Sequence, residues 1–172
     1  HIYASTTFRE LHFTHPRHTH EPGRDPEISL GRTPIPSVVS LLPLYLIWIT
    51  GLPLLGFKLG MLVSGALGMP EPIRRRLYPF VRPEVRGKLA LESALILGFY
   101  AALAYLALHD SSGLWALLSG QVVTHGLLAL YVTPEHNGLP HEGDILMRTR
   151  SMRAGALLKY LMWNMPYHAE HH

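Results

Sequence analysis

The chain has 172 residues, of which 48% are hydrophobic and 16% charged, and its formal net charge is +3. This length corresponds to one ordinary domain, and the apolar composition favours a membrane protein. The chain contains no cysteine, which excludes disulfide scaffolds, thiolate zinc sites and cysteine nucleophiles. The basic residues flank apolar segments and form no stripe with aromatic residues, so we expect no nucleic-acid partner.

The first predicted element is a helix near the start of the chain that carries a cluster of histidines. His12 and His15 have i, i+3 spacing, which places both imidazoles on one helical face. His18 and His20 follow Pro16 and fall outside this register. Because imidazole is a common ligand of iron, copper and zinc, we predict that His12, His15 and His18 bind metal. The alternative for His18 and His20 is a surface loop near lipid headgroups.

Two carboxylates, Asp25 and Glu27, close this first segment. A carboxylate that accepts a hydrogen bond from the second nitrogen of a ligating imidazole fixes the orientation of that ring. A helix cap or a turn would account for the same residues equally well, and both interpretations stay open at this point.

Three apolar stretches follow in chain order. Residues 37–69 are interrupted by prolines and glycines, which predicts interfacial or partly inserted helices. Residues 89–108 and 114–132 each have about the 20 residues that a helix needs to cross a bilayer of about 30 Å. Only residues 109–113 separate them, so we predict an antiparallel transmembrane hairpin.

The distribution of positive charge predicts the topology. All 15 Lys and Arg residues lie outside the hairpin and its short loop. The positive-inside rule therefore places residues 1–32 and 133–172, with both histidine-rich segments, on the cytoplasmic face. The alternative is a soluble helical protein in which the two hairpin helices are buried.

The chain ends in a second histidine cluster. His168, His171 and His172 have i, i+3, i+4 spacing, so a helix would present all three imidazoles on one face. Packed core histidines rarely cluster in this way, because each buried imidazole needs a hydrogen-bond partner; a solvated face is the alternative. His136 follows the second hairpin helix and is a further candidate ligand that emerges at the same surface.

The remaining histidines are not expected to bind metal. His125 lies inside the hairpin, where a hydrogen bond within the bundle accounts for it. His109 lies in the far loop and His141 in an ordinary loop. The candidate imidazoles outnumber the needs of one ion, which favours two metal ions. Without thiolates and beside a membrane, this set points to iron and oxygen chemistry, although the ligands alone leave zinc open.

The two histidine clusters resemble the boxes of the membrane fatty acid desaturase superfamily. Residues 8–19 (FRELHFTHPRHT), followed by Asp25-Pro26-Glu27, are similar to the second box. Residues 135–140 (EHNGLP) and 163–172 (WNMPYHAEHH) are similar to the third-box region, above all to that of bacterial fatty acid desaturases. The resemblance extends over nearly the whole chain.

The resemblance implies an all-α integral membrane bundle with a transmembrane hairpin and a cytoplasmic histidine-rich helical cap, with residues 1–172 part of a single desaturase domain. It implies two iron ions in a non-haem diiron centre, with dioxygen as co-substrate. The expected substrate is a fatty acyl lipid or thioester, and the expected electron donor is a ferredoxin, a rubredoxin or a cytochrome b5-type protein. The metal ligands carried over from the family are His12, His15, His136, His168, His171 and His172, and His18 is a further candidate ligand from the same segment.

The chain departs from the family pattern in two places. The second box should end in two adjacent histidines, and Pro16 stands where the second is expected. Either His18 takes its place, or the site has one ligand fewer. The first box, HxxxH, is absent because Ser5 stands four residues after His1. We therefore expect that this box lies upstream and that the chain is the C-terminal part of a longer catalytic domain.

The predicted function is oxygen-dependent introduction of a double bond into a fatty acyl chain. One alternative is a hydroxylase or carotenoid ketolase of the same superfamily, because residues 18–27 (HTHEPGRDPE) also resemble the ketolases. Another alternative is a degenerate, non-catalytic membrane protein that binds metal, for which Pro16 is the best support. The sequence contains no signal that identifies the substrate length, the head group, the double-bond position, the electron donor or the oligomeric state.

Overall fold

The computed structural model describes residues 2–19, 21, 24–26, 42–110, 113–136, 138–140 and 143–171. All regular secondary structure within these ranges is helical, which confirms the all-α prediction. The helices are α1 (Ser5–His18), α2 (Leu42–Ile49), α3 (Leu52–Ala66), α4 (Glu71–Leu77), α5 (Arg86–Asp110), α6 (Gly113–His136), α7 (Ala156–Leu161) and α8 (His168–His171). Short 3₁₀ helices, Pro83–Val85 and Ile145–Met147, precede α5 and α7.

The longest helices, α5 and α6, form the hairpin expected from the sequence. Two segments that largely coincide with them, Pro83–His109 and Gly113–Thr133, span 27 and 21 residues and are long and apolar enough to cross a membrane. Their large apolar side chains face outward: Leu95 is 65% exposed and Leu127 is 64% exposed. This exposure argues against a soluble protein that buries the hairpin, because such helices would cover their apolar faces.

The broken apolar stretch before the hairpin folds as two helices, α2 and α3, which meet at Thr50 and Gly51. Gly51 has a φ of +74° and sits against the α6 backbone, so that an added Cβ would lie 2.1 Å from the Gly126 nitrogen. One turn earlier, the indole nitrogen of Trp48 donates to the Thr133 hydroxyl at 2.9 Å. The turn between α2 and α3 therefore rests directly on α6.

The buried core lies between α3, the α4 region and the start of α5. Its fully packed members are Met61, Met69, Tyr78, Val81 and Leu89. The Tyr78 hydroxyl is 3.0 Å from the Ser64 hydroxyl and donates to the Met61 carbonyl oxygen. Burial raises the pKa of Tyr78, so this hydroxyl stays protonated and continues to donate. Small residues allow α3 and α5 to approach each other closely, since a Cβ on Gly65 would lie 2.6 Å from the Ser93 hydroxyl.

We expect Gly51→Ala to destabilise the protein by about 3 kcal/mol or more, because the added methyl would collide with α6 and the residue would be held at positive φ. Thermal unfolding of the purified protein in detergent measures this loss. Gly56→Ala is the matched control, because Gly56 lies inside α3 with nothing within 4 Å of an added Cβ. Equal melting temperatures for the two variants would contradict the proposed backbone contact.

Candidate metal centre

The first histidine cluster lies on one uninterrupted helix. α1 continues through Pro16 and ends at His18, so the prediction that His18 lies outside the helical register is wrong. Pro16 cannot donate to the carbonyl oxygen of His12, but its fixed φ is compatible with a helix. Beyond it, the Thr19 hydroxyl donates to the His15 carbonyl oxygen at 2.9 Å. His15 and His18 therefore share a helical face at i, i+3 spacing.

His15 is held by a buried carboxylate. Its Nδ1 atom lies 2.9 Å from Asp25 Oδ1, and the two residues are only 5% and 0% exposed. An ionised carboxylate can only accept a hydrogen bond, so the imidazole proton belongs on Nδ1 and the lone pair on Nε2. The sequence left two interpretations of Asp25 open, an orienting carboxylate and a cap or turn. The structure shows the orienting hydrogen bond to His15. Glu27 lies outside the described residues.

His18 and His12 have different surroundings. The Nδ1 atom of His18 lies 3.1 Å from Glu21 Oε2, and both side chains are partly exposed. His12 stacks on Phe8 with a ring separation of 5.4 Å and meets Phe13 edge-on. The carboxylate beside His18 again favours the tautomer with its lone pair on Nε2.

The third histidine in contact with a carboxylate is His168, at the start of α8. Its Nδ1 atom lies 3.7 Å from Glu135 Oε1, and the two residues are 5% and 4% exposed. Glu135 belongs to the last turn of α6 and directly precedes His136. This contact joins the terminal histidine cluster to the end of the hairpin.

Two consecutive residues with positive φ direct the chain into α8. Trp163 and Asn164 have φ values of 50° and 62°. The Asn164 amide donates to the Lys159 carbonyl oxygen at 2.8 Å, and the Trp163 amide donates to the Tyr160 carbonyl oxygen at 3.3 Å. This is the Schellman pattern that terminates a helix. It ends α7 and turns the chain so that His168 reaches the end of α6.

Two polar side chains connect the histidine segments to one another. Arg148 donates to the Thr19 carbonyl oxygen at 2.8 Å and also to Gly143, so it joins the end of α1 to residues 143–148. Ser151 donates to Glu170 and accepts from the Ala169 amide at 3.1 Å. The Ser151 hydrogen bond lowers the pKa of Glu170. A continuous series of contacts thus runs from α1 through residues 143–151 to α8 and α6.

The comparison with known families agrees with this architecture. The family model for fatty acid desaturases matches residues 2–172. The chain belongs to the fatty acid desaturase family. No curated protein and no solved structure matches it. It is therefore a member of a desaturase-type oxidoreductase superfamily, and the resemblance stated from its histidine boxes is confirmed.

The described part of this chain does not bring the predicted ligands into one cluster. Among its described residues, no three His, Cys, Asp or Glu side chains form a group that could hold a metal ion. The side chains of His136 and His171, and all of His20, His141 and His172, lie outside the described residues. The assignment of His12, His15, His18, His136, His168, His171 and His172 as ligands stays a prediction.

Two other histidines of the chain lie away from these pairs. His109 stacks on Tyr105 near the loop of the hairpin, and its Nδ1 atom lies 2.8 Å from the Tyr105 carbonyl oxygen. The Nδ1 atom of His125 lies 2.6 Å from the Gln121 carbonyl oxygen in its own helix. Its Nε2 atom is buried and has no hydrogen-bond partner in the described part of the chain.

The chemistry of the described histidines fits the iron that the family implies. Metal-binding imidazoles usually have their second nitrogen held by a carboxylate or carbonyl. His15 has this arrangement in buried surroundings, His168 approaches it, and His18 has it nearer the surface. Imidazole and carboxylate without thiolate suit non-haem iron. The donor types therefore fit iron, although the described residues form no group of three.

Sequence reasoning missed three residues that organise the site. Glu21 and Glu135 lie beside His18 and His168, and Arg148 joins two segments. Glu135 has a local signal, because it is adjacent to a predicted ligand in residues 135–140. Arg148 has none, because its partner Thr19 lies 129 positions away in the sequence.

We expect Asp25→Asn to weaken iron binding by about 10–100-fold, because the amide cannot stabilise the proton on His15 Nδ1 as a carboxylate does. Iron titration of the metal-free, full-length protein measures the change. The matched control is Asp144→Asn. Asp144 is exposed and accepts from the Leu146 amide at 2.9 Å, a hydrogen bond that an asparagine oxygen can also accept. Unchanged iron affinity in Asp25→Asn would show that the Asp25 pair has no role in binding.

Proposed function

We propose that this protein is an oxygen-dependent fatty acyl desaturase with a non-haem diiron centre. The observation that supports this most directly is the pair of buried imidazole–carboxylate contacts, His15 with Asp25 and His168 with Glu135. Both lie beside an apolar helical hairpin. Family membership supports the oxidoreductase class, and the paired imidazoles support the metal.

Both pairs belong to the same end of the hairpin, which supports a shared site. α1 is fastened near the start of α5, because the Thr6 amide donates to Glu92 at 2.8 Å. His168 contacts Glu135 at the end of α6. Since α5 and α6 run antiparallel, the start of α5 and the end of α6 lie at one end of the hairpin, opposite Asp110 and Gly113. We call this the open end.

The proposal places the open end at the cytoplasmic surface of a membrane that α5 and α6 cross. All 15 Lys and Arg residues lie outside residues 89–132, the two apolar runs with their connection, which supports this orientation by the positive-inside rule. A fatty acyl lipid or thioester would lie along the apolar helices with its chain entering at the open end. An electron donor such as a ferredoxin, a rubredoxin or a cytochrome b5-type protein would approach from the aqueous side.

The residues that would hold the two irons are the predicted ligands His12, His15, His18, His136, His168, His171 and His172. When bound, iron supplies the oxidising chemistry with dioxygen. The chain's own contribution is to orient and protect. Asp25 holds the proton on His15 Nδ1, so the Nε2 atom of His15 keeps its lone pair. Glu135 lies beside His168 Nδ1 at 3.7 Å, which is longer than a hydrogen bond. The burial of both pairs excludes water from the reacting region.

The proposed reaction removes two hydrogens from the acyl chain. One hydrogen leaves each of two adjacent methylene carbons, and a carbon–carbon double bond forms between them. Dioxygen is reduced to two waters by these two hydrogens together with two electrons from the donor and two protons. The acyl chain is therefore oxidised by two electrons and the donor supplies the other two.

Expression of the full-length protein in a host without desaturases, together with a compatible electron donor, tests the proposal. We expect new unsaturated acyl chains, with the double bond located by mass spectrometry. His168→Ala should abolish them, because it removes a predicted ligand beside Glu135. His109→Ala is the matched control, because His109 lies near the hairpin loop, where it stacks on Tyr105; product should persist.

Other results would redirect the proposal. Hydroxylated or ketone products would favour a hydroxylase or carotenoid ketolase of the same superfamily. An unchanged lipid profile from folded, iron-loaded protein with an active donor would contradict desaturation of the host lipids. It would favour the degenerate alternative that Pro16 supports.

A further inference from the structure

The helix that carries the first histidine cluster is fastened to the hairpin along one face. The Thr6 amide and hydroxyl donate to the two oxygens of Glu92 at 2.8 and 3.0 Å. One turn later, Arg82 donates from Nη2 and Nε to the two oxygens of Glu10 at 2.8 and 2.9 Å. Both anchored residues of α1 are buried, Thr6 at 5% and Glu10 at 7% exposure. Arg82 lies just before the first turn of the long apolar segment Pro83–His109.

The position of these anchors fixes how α1 is rotated about its own axis. Successive residues of a helix are about 100° apart, so Thr6 and Glu10 lie within about 40° of each other on one face. By the same count, His15 lies about 140° and His18 about 80° from Glu10. Two anchors one turn apart on one face hold the helix against rolling, while the histidines occupy other faces.

A small roll would matter at the imidazoles. The Cα atoms of a helix lie about 2.3 Å from its axis, and a histidine side chain brings its outer nitrogen to roughly 6 Å. A roll of about 10° therefore moves this nitrogen by about 1 Å, which is several times the tolerance of about 0.2 Å in a metal–ligand distance. Misplacement on the scale of 1 Å can cost about 100-fold in activity.

Arg82 suits this purpose better than a simple charge would. Its planar guanidinium makes two parallel hydrogen bonds to one carboxylate, which fixes direction as well as distance. The Arg82 side chain is 63% exposed whereas that of Glu10 is 7% exposed, so the fork reaches in from the surface to a buried carboxylate. The hydrogen bonds from Arg82 lower the pKa of Glu10.

We propose that Glu10 and Arg82 are positioning residues that set the rotation of α1 and thereby the placement of His15 and His18. The inference rests on the proposed diiron function and adds to it a statement of how two of the ligands are positioned. It assigns to a surface arginine, 67 positions from His15 in the sequence, a role in the geometry of the metal ligands.

The test compares Arg82→Lys and Arg82→Gln in the full-length protein. Lysine keeps the positive charge but cannot make the two parallel hydrogen bonds to Glu10, and glutamine loses both the charge and the paired hydrogen bonds. We expect iron affinity to fall by about 10-fold in Arg82→Lys and by about 100-fold in Arg82→Gln. The Mössbauer spectrum of the remaining bound iron should also change, which loss of an ordinary stabilising contact would not produce.

Arg75→Gln is the matched control, because Arg75 forms the corresponding arginine–glutamate contact with Glu71, at 2.7 Å, on an exposed helix. It should leave affinity and spectrum unchanged. The double variant Glu10→Gln with Arg82→Gln should bind iron no more weakly than Arg82→Gln alone, because both changes remove one pair.

Two results would overturn the inference. A parental spectrum and affinity in both Arg82 variants would remove the positioning role and leave the desaturase proposal intact. A lowered melting temperature with a parental spectrum would reduce the pair to an ordinary stabilising contact. Parent protein that binds no iron would instead refute the diiron proposal, and the positioning role would fail with it.

Discussion

The apolar outer surface of α5 and α6 constrains where everything else in this protein lies. The backbone polar groups of these helices are bonded within the helices, and side chains such as Leu95 and Leu127 face outward. A charged side chain on that surface would be costly in a hydrocarbon environment. Ionisable groups such as Glu92 and Glu135 are therefore found towards the open end. The histidine segments contact the hairpin through these two carboxylates.

Buried histidines at the open end require hydrogen-bond partners. A carboxylate both accepts the imidazole proton and determines which ring nitrogen is available to a metal. A buried imidazole N–H without an acceptor costs about 1–3 kcal/mol, and Asp25 removes this cost for His15. The same contact selects the tautomer whose other nitrogen is available as a ligand. Stability and metal-binding chemistry therefore favour the same arrangement, so neither is achieved at the expense of the other.

The sequence predicted those features that arise from local patterns. The hairpin follows from two apolar runs of sufficient length, and the role of Asp25 was one of two interpretations of a carboxylate ten residues after His15. His18 was expected to fall outside the helical register, but α1 continues through Pro16, because side-chain and tertiary contacts around Thr19 hold its last turn in place. Three other contacts join residues that are far apart in the chain, and no sequence periodicity predicts such pairs. They are Glu10 with Arg82, Thr19 with Arg148 and Glu135 with His168. The membrane crossing, its orientation and the ligand set remain predictions.

The proline inside α1 has a consequence for local opening of the protein. Before Pro16, the helix is bonded to α5 and the residues just ahead of it through Thr6 and Glu10; after it, the last turn is bonded to residues 143–148 through Arg148. Because Pro16 provides no amide proton between the two parts, they need not open together. His15 and His18, three residues apart, lie on opposite sides of this missing hydrogen bond and can open separately. Amide hydrogen exchange at His18 would follow the mobility of residues 143–151, whereas exchange early in α1 would follow that of the hairpin.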